Sequence, residues 1–255
     1  MIRLSALQMQ TAGPDTAANL ARIETAAREA AQAGATLLVT PELGITSYGG
    51  GESILALAEP ADGAIATRLA EIARETGVAL VAGFAEKAGD AVYNSAIYTD
   101  GNGKPSVYRK SHLYGDYERN LFTPEKPSTC LFSHRGMTFG MLICYDVEFP
   151  ENVRRLAQAG AEMILVPTAT PKGASGTFIA EKMVPVRAFE NQIFIAYVNN
   201  IGRDGDFDYA GKSVIAAPDG TALATAGLLE QLLTVDIEPD LYARSRSENT
   251  YLRDL

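Results

Sequence analysis

The sequence lacks tryptophan altogether and contains only two cysteines and two histidines among its 255 residues. Two cysteines in a chain of this length do not form a disulfide framework, so a reducing cytoplasm is the expected location. Basic side chains are also scarce, because 22 lysines and arginines stand against 31 acidic residues and no basic run is present. The net charge of −9 therefore argues against a nucleic-acid partner.

Long apolar runs are missing as well. The first ten residues, MIRLSALQMQ, lack the apolar segment of a secretion signal, and no stretch approaches the roughly 20 apolar residues of a membrane span. We therefore expect no membrane partner. The sequence also lacks the nucleotide-binding patterns GxGxxG and GxxxxGK[ST] and the metal-binding patterns HExxH and CxxC, so no cofactor and no metal is expected.

What is present is enough apolar material for a substantial interior. With 47% apolar residues and this length, the chain suits one domain over residues 1–255. IRLSALQMQ, TLLVT and VALVAGFAE are typical of strands, whereas DTAANLARIETAAREAAQAGA and residues 64–76 are typical of helices. The turn-rich DGNGKP between AVYNSAIYT and SVYRK predicts an antiparallel hairpin, and CLFSHRGMTFGMLI predicts a second one.

The rest of the chain continues this alternation. A helix is expected from residue 150 or 151 and another over residues 178–191, where Pro185 should introduce a kink. MILVP, IFIAYVN, KSVIAAPDGTALATA and LLTVDI are strand-like. Hairpins combined with βα units imply mixed sheets whose outer faces are covered by helices, an α/β (α+β) fold.

Cys144 lies where the apolar run MTFGMLI gives way to YDVEFPE, a polar turn before a predicted helix. The end of a sheet strand is a common place for functional groups, and backbone N–H groups near such a turn favour a thiolate and an oxyanion. The alternative is that the cysteine is a small buried hydrophobic residue. We predict that second role for Cys130, which lies within the strand pattern TCLFSHRG.

The residues near Cys144 bear on two other kinds of cysteine chemistry. A cysteine phosphatase needs an arginine that closes a phosphate loop, but acidic YDVE follows Cys144 and would repel phosphate. A Cys–His hydrolase needs an imidazole, which either His112 or His134 could provide. The sequence alone leaves this second possibility open.

Three separated motifs together resemble one family. TPELGITSYG around Glu42, YRKSHLYGD around Lys110 and MLICYDVEFPE around Cys144 resemble, in this order and at these intervals, the Glu, Lys and Cys motifs of the nitrilase superfamily of carbon–nitrogen hydrolases. The resemblance extends nearly from end to end. It implies a four-layer α-β-β-α sandwich with two mixed sheets, an acyl-thioester mechanism, no cofactor, and assembly into a homodimer or a larger homo-oligomer.

The resemblance also implies roles for individual residues. Glu42 would be the general base toward Cys144, while Lys110 and the backbone N–H of Tyr145 would stabilise the oxyanion. Glu118 precedes Pro124 at the spacing of a second glutamate in related amidases, in what we expect to be a loop, and would orient the substrate amide or the lysine. Without the family, Glu42 would be a solvated loop carboxylate and Lys110 an ion-paired lysine at a strand end.

Four further residues are expected to bind substrate. They are Tyr48, Tyr114, Tyr145 and Glu148, each through its side chain. The alternative for the three aromatic rings is that they only pack against neighbouring residues and do not contact substrate. Arg187 and Glu190 match the family pattern RAxENQ and are expected to be structural.

Departures from the family patterns suggest the substrate. Nitrile-hydrolysing members typically have Cys-Trp-Glu, whereas this chain has CYD, which favours an amide. The ω-amidase motif resembles CYDIRFPE, and Glu148 replaces its arginine, which argues against a dicarboxylic monoamide and favours a neutral or amine-bearing carboxamide. The absence of tryptophan also removes a His-Trp pair found in many relatives. An ω-amidase, an N-carbamoyl amino acid hydrolase, a nitrilase and a catalytically idle interaction scaffold remain alternatives.

Overall fold

Two six-stranded mixed sheets form the centre of the protein in the computed structural model, which describes residues 1–255. The first sheet has the order β14-β1-β2-β3-β4-β5 and the second the order β13-β12-β9-β8-β7-β6. A two-stranded ribbon, β10–β11, stands apart from both. The strands are β1 (Ile2–Gln8), β2 (Leu37–Val39), β3 (Ala79–Ala88), β4 (Ala91–Thr99), β5 (Ser106–Arg109), β6 (Leu131–His134), β7 (Met137–Met141), β8 (Met163–Thr168), β9 (Phe194–Asn199), β10 (Ile201–Asp204), β11 (Phe207–Ala210), β12 (Val214–Ala216), β13 (Ala222–Thr225) and β14 (Gln231–Ile237).

Eight α-helices accompany the sheets. They are α1 (Thr16–Gln32), α2 (Ser53–Leu57), α3 (Ala64–Thr76), α4 (Gly115–Leu121), α5 (Pro150–Gln158), α6 (Ala174–Phe178), α7 (Val184–Asn191) and α8 (Ala243–Glu248). Two 3₁₀ turns cover Cys144–Glu148 and Pro239–Tyr242, and a π-helical turn, Ile179–Met183, joins α6 to α7. None of the helices combines the length and the apolar character needed to cross a membrane.

Side-chain alternation along the first sheet produces the layers. Leu37 and Val39 of β2 belong to the core between the two sheets, whereas Leu38 packs with α1 and α3 on the outer face. Helices α5 and α7 add apolar residues such as Leu156 and Val184 to the core on the side of the second sheet. The result is a four-layer α-β-β-α sandwich, so the predicted fold class is confirmed.

The two sheets share one pattern of strand directions. From β14 to β5 the successive pairs are antiparallel, parallel, parallel, antiparallel and antiparallel, and the pairs from β6 to β13 follow the same series. Strands β2, β5, β7, β8 and β9 each end next to a segment that contributes to the site described below. The sandwich therefore brings together segments that are far apart in sequence.

Several boundaries differ from those predicted. Helices α2, α4 and α8 and the ribbon β10–β11 were not predicted, because they are short and carry polar or charged residues without a clear period. The helix expected over residues 178–191 begins at Ala174, and its π-helical turn comes just before Pro185. A proline ring removes a donor and crowds the preceding helical turn, so the irregularity occupies that turn.

Gly83 of β3 lets the segment that carries Glu42 approach the first sheet. A Cβ atom on Gly83 would lie 2.4 Å from Leu43 N, 2.6 Å from Pro41 O and 2.8 Å from Glu42 Cα. These neighbours are all backbone atoms and cannot rotate away. Only glycine at this position is compatible with the observed path of the Glu42 segment.

We predict that Gly83→Ala lowers the free energy of unfolding by about 1–3 kcal/mol, the usual cost of overpacking a close contact. Urea unfolding checks this. Gly227→Ala is the matched control, because a Cβ atom there meets nothing within 4 Å. Equal stability of the two variants would contradict the prediction.

Candidate active site

Lys110 lies between two carboxylates. Its Nζ atom is 2.7 Å from Glu42 Oε1 and 2.7 Å from Glu118 Oε1, and all three side chains are excluded from solvent. Glu42 follows β2, Lys110 follows β5, and Glu118 lies in α4. The fold thus brings together Glu42, Lys110 and Glu118, the three residues that the motifs indicated.

Glu118 was predicted to lie in a loop, and this prediction is wrong. It lies in α4 and is fully buried. Its Oε1 accepts a hydrogen bond from Tyr48 OH at 2.8 Å, and its Oε2 accepts one from the Tyr114 backbone N–H at 2.9 Å. The helix and the burial of Glu118 were not predicted because the segment DYER is highly charged and only one of its two acids is buried.

The charges in this cluster do not cancel, since two carboxylates share one ammonium group. Burial raises the pKa of Glu42; the Lys110 charge opposes this increase, and the Glu118 charge adds to it. Burial alone would lower the pKa of Lys110, but the charges of Glu118 and Glu42 outweigh it and hold that pKa well above its ordinary value. The lysine therefore stays cationic, and the raised pKa of Glu42 favours the uptake of a proton by its carboxylate.

Glu42 has one oxygen engaged and one free. Oε1 accepts hydrogen bonds from Lys110 and from Asn94 Nδ2, the latter at 2.7 Å, whereas the buried Oε2 has no partner. Asn200 Nδ2 holds the Glu42 backbone carbonyl at 3.1 Å. A buried acceptor without a donor is costly, so Oε2 is ready to receive a proton.

Cys144 begins the 3₁₀ turn that follows β7, with a φ of 44°. This left-handed conformation is uncommon outside glycine and costs about 1–3 kcal/mol, and it occurs mainly at functional sites. Burial raises the pKa of the thiol, and the Glu42 charge adds to this, while the Lys110 charge and the Ala169 N–H act in the opposite direction. Cys144 remains 9% exposed and is not sealed in the interior.

A cavity of about 450 Å³ opens beside the thiol. Its lining includes all the residues predicted to bind substrate together with the nucleophile and the second glutamate, namely Tyr48, Tyr114, Glu118, Cys144, Tyr145 and Glu148. The segment from Ala169 to Gly176 and Ile179 complete the wall. Glu42 and Lys110 lie behind the lining residues, and Lys110 is bonded to Glu118, which is one of them.

Asp146 was missed as an organiser of the site, although it stands within the quoted CYD motif. Its buried carboxylate accepts hydrogen bonds from Tyr108 OH at 2.9 Å, from Ser111 Oγ at 2.7 Å and from the His112 N–H at 2.9 Å. These donors belong to the segment around Lys110. Asp146 therefore fastens that segment to the turn of Cys144.

Neither histidine serves as a base for Cys144. The His112 ring stacks on Phe149 and contacts Asp146 Oδ1, and the His134 ring contacts Tyr98 OH and Thr36 Oγ1. The geometry thus closes the Cys–His alternative.

Cys130 and the RAxENQ residues have structural surroundings. Cys130 is unpaired, and its thiol meets Val107 O at 3.5 Å. Arg187 donates to the carbonyls of Val147 and Glu148, at 3.2 and 2.8 Å, and pairs with Glu190. It therefore supports the turn that carries Cys144. No group of three or more histidine, cysteine, aspartate or glutamate side chains is arranged to hold a metal ion.

Several known proteins are similar to this chain in sequence or in fold. A protein of Pseudomonas protegens described as a hydrolase in the pqqF 5′ region is 44% identical over 243 residues, covering 94% of this chain and 84% of that protein. An (R)-stereoselective amidase from a Pseudomonas species is 36% identical over 258 residues, covering 99% and 91%. The crystal structure of an amidase from Nesterenkonia sp. AN1 superposes with a TM-score of 0.89 at 34% identity, covering 100% of this chain and 96% of that one.

Further structures of the Nesterenkonia amidase concern its cysteine. One shows a variant with alanine in place of cysteine in complex with butyramide, and another shows the acetamide moiety of fluoroacetamide added covalently at the active-site cysteine. The family model of the carbon–nitrogen hydrolases matches residues 3–247 of the present chain. The chain therefore belongs to the carbon–nitrogen hydrolase family, within the nitrilase superfamily.

Proposed function

We propose that the protein hydrolyses the C–N bond of a small carboxamide to the acid and ammonia through a thioester on Cys144. The observation that carries this proposal is that Glu42 Oε2 is buried without a hydrogen-bond partner. Lys110 bonds both to Glu42 and to Glu118, and Glu118 lines the same cavity as Cys144. The amides bound or added in the Nesterenkonia structures support the same class of substrate.

In the first step, Glu42 Oε2 takes the thiol proton as Cys144 Sγ bonds to the amide carbon. Before the transfer Glu42 is ionised and the thiol carries the proton; after it Glu42 carries the proton and the sulfur is bonded to carbon. The raised pKa of Glu42 favours its accepting the proton, and the raised pKa of Cys144 keeps the proton on the thiol until the substrate is bound. The carbonyl oxygen becomes an oxyanion, and the Lys110 ammonium and the Tyr145 N–H stabilise it. The N–H of Tyr145 is available because it lies in the first turn of the 3₁₀ segment.

In the second step the C–N bond breaks. Glu42 returns its proton to the nitrogen, so ammonia leaves and the thioester remains on Cys144. Water then attacks the acyl carbon while Glu42 takes a proton from it, and the carboxylic acid is released as the thiol is restored. Each proton that Glu42 accepts it also gives back, so no cofactor enters the cycle.

Glu118 would position Lys110 and the substrate amide. Its two oxygens are fixed by Lys110, Tyr48 and the Tyr114 N–H, so it cannot move freely toward the thiol. Tyr48 and Tyr114 complete the surface that the substrate meets.

The chain would act as a homodimer or larger homo-oligomer in the cytoplasm. Two unpaired cysteines suit a reducing compartment. Phe178 and Val186 are more than half exposed on the helices that cover the second sheet, which leaves apolar surface there for a second copy. Light scattering of the purified protein measures the oligomeric state.

We predict that Cys144→Ala reduces ammonia release to the level measured without enzyme, because the acyl group has no other acceptor. The unfolding transition of this variant should stay cooperative. Wild-type protein quenched during turnover should carry an acyl mass adduct at Cys144. Cys130→Ala is the control and should release ammonia at the wild-type rate. Turnover by the Cys144 variant would contradict the proposed nucleophile.

A substrate screen tests the proposed reaction. Small neutral and amine-bearing carboxamides, ω-amides, carbamoyl amino acids and nitriles are compared by ammonia release, with Cys144→Ala as the blank. Carbon dioxide released with ammonia would indicate an N-carbamoyl substrate, and consumption of a nitrile would indicate a nitrilase. Fastest release from succinamate or α-ketoglutaramate would replace the proposal with an ω-amidase, and no turnover at all would favour the idle scaffold.

We predict that Glu42→Gln lowers kcat/KM by about 100- to 10,000-fold, the usual contribution of a general base. Glutamine retains an oxygen that can accept hydrogen bonds from Lys110 and Asn94, but it cannot accept the thiol proton. Steady-state kinetics on the best amide of the screen, together with thermal unfolding, separate loss of the base from loss of the fold. Activity within threefold of wild type would exclude Glu42 as the base.

A further inference from the structure

Glu148 is the one acidic side chain of the cavity wall that has no partner. The other acid of the wall, Glu118, is hydrogen-bonded to Lys110, Tyr48 and the Tyr114 N–H. The Glu148 carboxylate makes no hydrogen bond and no ion pair, although the residue is half-buried. A carboxylate removed from water without a donor is unfavourable, so this position is suited to a donor from the substrate.

The surroundings of Glu148 keep its carboxylate available. Arg187 is close, but its guanidinium group donates to the backbone carbonyls of Val147 and Glu148 and pairs with Glu190. Arg187 therefore fixes the backbone of the turn and leaves the Glu148 side chain free. The one cationic residue in the cavity wall is Lys172, which is exposed to solvent.

We propose that Glu148 receives an ammonium group of the substrate, so that the preferred substrates are small carboxamides that carry a primary amine. This inference rests on the proposed amide hydrolysis and specifies its substrate class. A primary ammonium has three donors and one positive charge, and the cavity of about 450 Å³ suits a small molecule. The thiol and Glu148 stand at opposite ends of one 3₁₀ turn, so the amide and the amine would be bound by the same short segment.

The test compares amides that differ only in the replacement of a terminal ammonium by a methyl group. The pairs are glycinamide with propanamide, β-alaninamide with butanamide, and 4-aminobutanamide with pentanamide. Wild-type kcat/KM should favour the ammonium member of at least one pair by about 10- to 100-fold, the usual strength of a hydrogen bond to a charged group. Glu148→Gln should remove most of that preference.

Glu151→Gln is the matched control, because Glu151 is exposed on α5 outside the cavity and should keep the wild-type ratio. A wild-type ratio near one in every pair, or a ratio unchanged in Glu148→Gln, would overturn the assignment. If succinamate is hydrolysed faster than the ammonium-bearing amides, the cation of Lys172 rather than the carboxylate of Glu148 selects the substrate. The wild-type ratios decide the question even if the Glu148 variant fails to fold, and absence of turnover on every amide would reject the proposed function itself.

A second observation concerns another neighbour of the thiol in the cavity wall, Thr170. Thr170 Oγ1 lies 3.7 Å from Cys144 Sγ and is hydrogen-bonded to Tyr197 OH. Tyr197 is fully buried in β9, and its hydroxyl group has no other partner. Asn199 Oδ1 accepts a hydrogen bond from the Thr170 N–H at 2.9 Å and holds this residue in place.

The direction of these hydrogen bonds follows from the need to satisfy buried donors. The Tyr197 proton has only Thr170 Oγ1 as an acceptor, so the phenol donates to the threonine. Among protein atoms, the Thr170 proton then has only Cys144 Sγ within reach as an acceptor. The two hydroxyl groups form a relay that directs an O–H donor at the sulfur.

We infer that Thr170 stabilises the thiolate form of Cys144 and that Tyr197 is a positioning residue that orients the Thr170 hydroxyl group. Such a donor favours the sulfur anion at the moment when its proton has gone to Glu42. It also holds the sulfur at a fixed place beside the cavity. This role requires a hydroxyl group at position 170 and does not depend on the nature of the substrate.

Alkylation of the thiol by iodoacetamide over a range of pH values tests the relay in the Cys130→Ala background. Thr170→Val should slow alkylation at pH 7 by about 10-fold, the lower range for a hydrogen bond to a charged group, and should move the profile to higher pH. Thr170→Ser should restore the wild-type profile, and Tyr197→Phe should lie between the two. Coincident profiles for the valine and serine variants, or a wild-type profile for Tyr197→Phe, would refute the relay.

Discussion

One buried ammonium group between two carboxylates is the constraint on which the site depends. Removing three charges from water is unfavourable unless each is paired, and Lys110 provides the only positive charge for Glu42 and Glu118. Burial raises the pKa of Glu42, and the charge of Glu118 adds to this increase, so the Glu42 carboxylate favours the uptake of a proton. A second lysine in the cluster would balance the charges and weaken that preference. The cluster is thus unfavourable for stability and suited to proton transfer.

The surrounding structure maintains this arrangement through backbone contacts. Gly83 lets the Glu42 segment pack against β3, Asn200 holds the Glu42 carbonyl, and Asp146 ties the Cys144 turn to the Lys110 segment. Arg187 braces the same turn from the side of the second sheet. Because these contacts fix main-chain positions, the identity of the side chains that line the cavity can determine specificity.

The layers and the central residues were predictable because each leaves a local signal. Alternation of strands and helices indicated mixed sheets covered by helices, and the motifs around Glu42, Lys110 and Cys144 indicated both the family and the four-layer arrangement. The roles of Asp146, Asn94, Thr170 and Tyr197 were not predictable, because each depends on a partner from a distant strand or turn. The ribbon β10–β11 was missed for a related reason. Its Asp204 binds Ser47 and the Gly49 N–H, and that long-range contact, rather than strand propensity, holds it in place.

The shared strand pattern of the two sheets has a consequence for how the molecule becomes reactive. The first half of the chain carries the carboxylates and the ammonium, and the second half carries the sulfur. During synthesis, the half that emerges first lacks the Cys144 thiol, and the half that follows lacks Glu42, Lys110 and Glu118. A nascent or broken chain therefore lacks the complete cluster, and the carboxylates, the ammonium and the sulfur come together only when the two sheets pack against each other.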